Sequence, residues 1–571
     1  MKRPSTPVLK LSAGIASLAI VGVLSVSTLM SGSKPSAEDE YWIPSTGALI
    51  MPPQDLQAQY PLRHAKQTPL DATLWLDFNA PITVNPTTAK PEFTLSLGTE
   101  KISGKTTIEG NRISFEPEVV LESSRIYSAR VDNVSLDDSI TPQESYAWDF
   151  YTEGNGWSMH HVDQDDSDAT LSDVNVSMNN RGEGLAAWRE IGENNYTLKS
   201  KKFHPLTGWK ESVEFYLSDG VAVGPPSTGI TNDGTSTVVW GKMGESRTGI
   251  WSSGYDTSSW DMPKAIDPNS PWPAFEPQVV SNSRGDTIAV WRQFDGLSYR
   301  IVGSFRTAQG SWGPSETIET DAGGDAFTPS IGMDNNGNAV AVWDHHMNMS
   351  TQVVAATYTP ASGWSVAENI EVPDKGNANR PTVSVNGAGY AVAVWRQADG
   401  GGQSIWANVY SPINGWQGAT LIEKQRNDAL RPTIYLSDSG NATAIWEQTT
   451  SGETEIWANH FGINGWGQEF KISDLGNKAS YPVITGDGRG GMTALWQVEI
   501  GSIYNIAFSH FEPAIGWSAN EILASSEFPF SSHPKLSSDG QGNAIAVWVS
   551  GHQDKTTQIT FAHFNRSIPL W

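Results

Sequence analysis

The chain has 571 residues, more than one ordinary hydrophobic core accommodates, and only 17% of them are charged. Its 24 Trp and 54 Gly fit an all-β protein with many tight turns and exclude coiled coil and disorder. A formal net charge of -25 argues against nucleic acid or anionic lipid as the main partner, and the absence of Cys excludes disulfides, thiolate metal sites, Cys nucleophiles and a Cys-linked lipid anchor.

Lys2, Arg3 and Lys10 precede an apolar run from Leu11 to Met30, which Ser31-Gly32-Ser33 and a polar stretch follow. This is the order of a secretory signal. The run also approaches the roughly 20 residues that span a bilayer. Residues 1–33 therefore read as a signal peptide cleaved near Ser33 or as a retained N-terminal anchor. Either way the rest of the chain is expected to be exported: periplasmic, cell-surface or secreted. Contact with a membrane is expected only through this segment. Residues 34–63, rich in Pro, read as a linker.

Residues 64–153 carry short alternating strands. Ala72 to Phe78 is followed by Asn79-Ala80-Pro81, and Ile113 to Pro117 is closed by its Pro. Ile126 to Val131 and Trp148 to Thr152 follow. The order "LWLDFNAPI … ISFEPEVVLESSRIYSARV … YAWDFYT" resembles the bacterial Ig-like domains of the S-layer type. The resemblance implies a β-sandwich that serves as a spacer or adhesive module, without catalysis. The usual Gly-rich turn of that family is replaced by Leu136-Asp137-Asp138-Ser139.

Residues 154–571 are a repeat. One series of Trp runs through 188, 240, 291, 343, 395, 446, 496 and 548, and a second through 157, 209, 260, 312, 364, 416, 466 and 517. Eight copies at a period of 50 to 52 residues signal a repeat architecture. The copy from Arg431 divides into four strands: Pro432 to Leu436, Asn441 to Trp446, Glu455 to Phe461 and Trp466 to Ile472. That is the size of a propeller blade. Second strands such as Ala391-Val392-Ala393-Val394-Trp395 are apolar on both faces, as strands stacked between neighbouring sheets must be. Small Ala suits close approach near an axis, and Trp at the strand end fills the wider space outward.

The phase of the repeat supplies ring closure. The array opens at Trp157 with a fourth-strand signature and ends at Gln558 to Phe564 with a third-strand one. The Trp157 segment can complete the last sheet and remove both free edges. The expected fold is all-β: an N-terminal Ig-like β-sandwich and an eight-bladed β-propeller with terminal strand closure. A seven-bladed ring with one extra unit is the alternative. The D-x-x-G-N-A-x-A-x-W hairpins, as in Asp334 to Trp343 and Asp539 to Trp548, resemble secreted bacterial propellers of the sialidase-like type. The tighter Asp-box spacing of that type is not met, since Asp438 lies eight residues before Trp446.

Candidate binding residues are those immediately after each core Trp, because repeat proteins vary equivalent positions on one face. They include Arg189, Arg292, Asp344, Arg396, Glu447 and Gln497, with Gly241 and Val549 completing the ring. Arginines there match carboxylated or sulfated sugars; surface salt bridges are the plain alternative. Asp344-His345-His346 is the densest titratable cluster, but adjacent strand residues face opposite sides, so both His joining one site is not expected. His160-His161 with Asp163, Asp165, Asp166 and Asp168 is acidic like a calcium loop but lacks its Gly and Glu. A structural calcium is thus the only cofactor left open. The turn residues Asp233, Asp334, Asp438, Asp487 and Asp539 are explained by Asx turns. No H-E-x-x-H, G-x-S-x-G or phosphate-loop motif is present.

Together these features point to an exported, non-enzymatic binding, adhesion or scaffold protein. Its propeller would recognise a glycan, a matrix polymer or an envelope protein. The alternative is a secreted glycan-active hydrolase or lyase with an axial site. Two or more carboxylates or His converging at one axial mouth would favour the enzyme.

Overall fold

The computed structural model describes residues 55–566 apart from several loop segments, the longest being 62–67, 138–144, 162–168 and 524–529. The expected signal segment, the acidic stretch at 162–168 and Trp571 lie outside the described residues. No helix among the described residues is long and apolar enough to cross a membrane.

The first unit is a sandwich of two four-stranded sheets. One has the order Leu56–Tyr60, Leu74–Phe78, Arg112–Pro117, Gly104–Glu109; the other runs Glu100–Ile102, Glu92–Leu97, Ile126–Asp132, Ser145–Tyr151. Leu74, Leu76 and Phe78 alternate inward and meet Phe93, Tyr127 and Phe150 in the core. The expected linker boundary needs correction. Leu56–Tyr60 lies within the span read as linker, yet it pairs antiparallel with Leu74–Phe78. Its side chains are only partly buried, so the period-two signal that marks a half-buried strand is weak there.

The repeats fold into eight antiparallel strand units, the last three linked into one sheet by the single parallel pairings Thr454–Lys478 and Tyr504–Phe530. Their first strands are Thr170–Met178, Ser227–Ile230, Ala274–Ser281, Asp325–Met333, Ala378–Val385, Ala429–Leu436, Lys478–Gly486 and Phe530–Ser538. Each first strand packs on the next, and the last packs on the first, so the sheets close into an eight-bladed propeller with these strands innermost. The blades are numbered 1 to 8 in this order.

The second strand of each blade is sandwiched on both faces. Ala341, Ala393, Ala444 and Ala546 are fully buried, and so are the core Trp residues. Trp343 packs against Ile288, Val290 and Ile301 of the preceding blade. Trp188 of blade 1 packs on Ile545, Val547 and Phe561 of blade 8, which is the same contact carried across the seam. The inner strands approach so closely that a Cβ at Gly332 would lie 2.7 Å from the Val385 side chain.

Trp157–His161 pairs with Thr557–Phe564, from Trp157 opposite Phe564 to His161 opposite Thr560. The first strand of the array thus completes the last blade, as the phase of the repeat predicts. Two details differ from the sequence reading. The second strand of blade 6 runs Ala442–Thr450, four residues past Trp446, so the Trp sits mid-strand rather than at its end. The fourth strand is broken into Gly465–Trp466 and Phe470–Lys471, both pairing with the third.

Candidate functional site

The inner strands carry a second periodic feature. Seven of them hold a non-Gly residue at φ between 46° and 55°: Asp173, Glu276, Thr328, Arg380, Arg431, Tyr481 and His533. Each coincides with a β-bulge; in blade 6 the register shifts between Leu430 and Thr433. In blade 2, Pro225 takes the position, and its ring forbids positive φ. The next residue is buried in every blade, a Pro everywhere except Val174 in blade 1. It anchors the strand, while the bulge re-aims the preceding side chain. The result is a ring of eight side chains of seven kinds around one end of the inner strands.

The residues after the core Trp lie directly beside this ring. Arg292 is opposite Phe275, Asp344 opposite Phe327, Arg396 opposite Asn379, Glu447 opposite Leu430 and Gln497 opposite Ser480. They form two neighbouring circles at a single mouth, and the contacts divide them into unlike arcs.

In the first arc the charges are neutralised. Arg189 is ion-paired with Asp173 and donates to the Val223 carbonyl at 2.8 Å. Arg292 sits 3.2 Å from Glu276 and within 4.8 to 5.2 Å of the ring centroids of Phe275, Tyr299 and Phe327. These two predicted binding arginines are thereby tied into the blade. Asp344, nearly fully buried, accepts from the Thr328 hydroxyl and lies 2.9 Å from His346 Nε2. His345 points the other way and is buried near Glu319, at 3.7 Å.

The second arc is basic and aromatic. Arg380, exposed on its bulge, has no ion pair among the described residues. Arg396 donates to Asn379 and forms no ion pair there either. Its pKa is lowered, first by burial and then by the charges of Arg380 and Arg431, with Asp344 and Asp428 opposing. Arg431 donates to Glu447 Oε2 at 2.7 Å and lies 4.4 Å from the centroid of the Tyr481 ring. Burial raises the pKa of Glu447, whose other oxygen accepts the Tyr481 amide at 2.7 Å. Gln497, nearly buried beside them, leaves its Oε1 without a partner among the described residues.

The Tyr481 and His533 rings meet with centroids 4.1 Å apart. His533 is exposed, yet its pKa is lowered, first by the surrounding atoms and then by Lys535 and Arg431, with Asp173 opposing. Lys535, two residues further along the same strand, is exposed, yet the atoms packed around it lower its pKa, with the Asp173 charge opposing.

The remaining sequence candidates are structural or lie outside the description. Asp334 Oδ1 accepts the amides of Asn336 and Asn338, and Asp487 and Asp539 do the same in their turns. Asp438 instead accepts the Gly387 amide of the neighbouring blade. No group of three or more His, Asp or Glu that could hold a metal occurs among the described residues. The mouth residues that the Trp-based reading missed are Arg380, Arg431, Tyr481 and His533. Their signal is a dipeptide within the inner strand, where a variable residue precedes a recurrent Pro.

Residues 51–152 match a family described as a bacterial Ig-like domain. No curated protein matches the chain. Among solved structures, the chain is similar to a protein of unknown function from Dyadobacter fermentans (10% identity, TM-score 0.36, covering 51% of this chain and 94% of that one). It is also similar to an ulvan lyase of a new polysaccharide lyase family (11%, 0.40, 62% and 94%). A third is the NanB sialidase of Streptococcus pneumoniae (8%, 0.34, 90% and 100%). At such identities residue roles do not transfer.

Proposed function

We propose that the chain is an exported glycan-active protein whose propeller mouth takes an acidic sugar unit. One observation carries this reading. Arg380, Arg396 and Arg431 come from two adjacent blades and crowd one another electrostatically, and the first two have no carboxylate ion pair among the described residues. In a chain of net charge -25, unneutralised guanidinium groups at one spot call for an external anion. A sugar carboxylate or sulfate matches the planar donors, and Tyr481 offers a ring for the sugar face.

Action on the glycan, rather than retention alone, is supported by the break in repeat symmetry. The buried carboxylates Asp344 and Glu447 and the imidazoles of His346 and His533 stand around the same mouth, from three different blades. The Ig-like domain then serves as a spacer between the N-terminal segment and the propeller.

The test is binding of polygalacturonate, alginate and sulfated glycans against neutral dextran, with reducing ends assayed in parallel. Acidic glycans should bind preferentially, and more weakly as salt rises. Arg380→Ala and Arg396→Ala should each remove about 1.5–3 kcal/mol of binding, roughly tenfold or more. Equal binding of neutral and acidic glycans would overturn the reading.

A further inference from the structure

We infer that the reaction at this mouth is β-elimination on an O4-linked uronate glycan, with His533 taking the C5 proton and Tyr481 protonating the leaving oxygen. The inference rests on the acidic-glycan reading above and specifies its chemistry.

The first ground is the state of the carboxylates. Glycoside hydrolysis by two carboxyl groups needs one to protonate the leaving oxygen and another to attack or activate water. At the bulge and post-Trp positions every carboxylate is engaged. Asp173 is held by Arg189 and Ser172, and Glu276 by Arg292 and the Thr328 amide. Asp344 is held by Thr328 and His346. Glu447 spends one oxygen on Arg431 and the other on the Tyr481 amide.

The second ground is what remains open. Among the described residues, neither the Tyr481 hydroxyl nor the His533 ring is held by a hydrogen bond, and their rings are in contact. Arg431 lies 4.4 Å from the Tyr481 ring and also acts on His533, placing a guanidinium group beside this pair, with Arg380 and Arg396 one blade further round. A uronate carboxylate bound there loses its charge repulsion toward a second negative charge at C5, which acidifies the C5 hydrogen.

The bonds balance without a co-reactant. The C5–H pair becomes the C4=C5 double bond, the C4–O4 bond breaks, and the O4 electron pair takes the Tyr481 proton. The C5 proton resides on His533. Arg431, over the Tyr481 ring, stabilises the transient phenolate; after the product leaves, the imidazolium gives its proton to water and the phenolate takes one from water, restoring both groups. The groups facing His533 are Lys535 on its own strand, Asp173 with its partner Arg189 on blade 1, Tyr481 on blade 7 and Arg431 on blade 6. Desolvation by the surrounding atoms first, then the Lys535 and Arg431 charges, lower the pKa of His533, which favours the neutral imidazole that a base requires.

The full chain is incubated with polygalacturonate, alginate or heparosan. New reducing ends are compared with the ultraviolet absorbance of the conjugated C4–C5 unsaturated uronate. The two should rise in equal amounts on at least one polymer. Tyr481→Phe keeps the ring contact, and His533→Asn keeps a residue that tolerates positive φ. Each should lower kcat by about a hundredfold or more while leaving the Kd for an uncleaved oligosaccharide within a few-fold. Unchanged melting and binding separate lost chemistry from lost fold. The rate should fall as pH drops through the lowered pKa of His533. Reducing ends without the chromophore would overturn elimination while leaving a glycan-active site. Binding without any cleavage would overturn elimination, and indifference to glycan charge would remove the acidic-sugar reading beneath it.

Discussion

Five of the eight core tryptophans are held through their indole N–H groups as well as by their bulk, while those of Trp496 and Trp548 have no partner among the described residues. In blades 1, 3, 5 and 6 the acceptor is the side chain two residues on, as where Gln397 Oε1 accepts from Trp395 at 3.2 Å and Gln448 Oε1 from Trp446 at 2.9 Å. In blade 4 that position is His345, and Trp343 donates instead to Glu319 at 2.7 Å. Gln397 also donates to Glu371 and the Val372 carbonyl, so it joins two segments of its blade. Gln397→Leu should destabilise the chain by about 1–3 kcal/mol, because a buried indole N–H then lacks its acceptor; a denaturant midpoint that does not move would contradict this. The sequence showed the Trp positions plainly, since a large side chain wedged between two sheets has no smaller substitute. It did not show the acceptor, which is Glu in blades 1 and 4 and Gln in blades 3, 5 and 6 and has no periodic signature.

At the level of the strand, legibility follows burial. Second strands were readable because both faces are covered, which leaves an unbroken apolar run ending at Trp. The inner strands were less so. A β-bulge adds one residue and interrupts the period-two pattern on which strand reading depends. Arg380-Pro381, Arg431-Pro432, Tyr481-Pro482 and His533-Pro534 recur at nearly the blade period all the same. The variable member of each pair is the one turned to the mouth. The post-Trp positions lie beside the bulge ring, but Arg189 and Arg292 have their charges satisfied within the fold, which only the neighbouring bulge residue decides. The second strands have a sharp limit of their own. Ala393 is fully buried between blades. Ala393→Leu should cost about 1–3 kcal/mol through overpacking, read as a fall in the thermal midpoint.

At the scale of the molecule, eight blades close only because the chain's first propeller strand returns to its last. Trp157 is almost fully buried against Phe508 and Phe564. Removing residues up to His161 would leave Thr557–Phe564 as an open edge, a template for pairing with another chain. Such a truncated protein should run as dimers or larger species in size exclusion, whereas the full chain should not. Equal elution of both would show that the seam is closed without this strand.

The same seam has a mechanical side. Ser145–Tyr151 is the last strand of the Ig-like sandwich, and the closing strand begins at Trp157, so a short connector joins the two units. Whatever tension reaches the propeller through its N-terminal side arrives first at the five residue pairs between Trp157–His161 and Thr557–Phe564. If the N-terminal segment is held at an envelope while a polymer drags on the mouth, the blades behind the seam are not the first to yield. The ring would part at its clasp, and the force needed to part it would set how long the molecule holds its load.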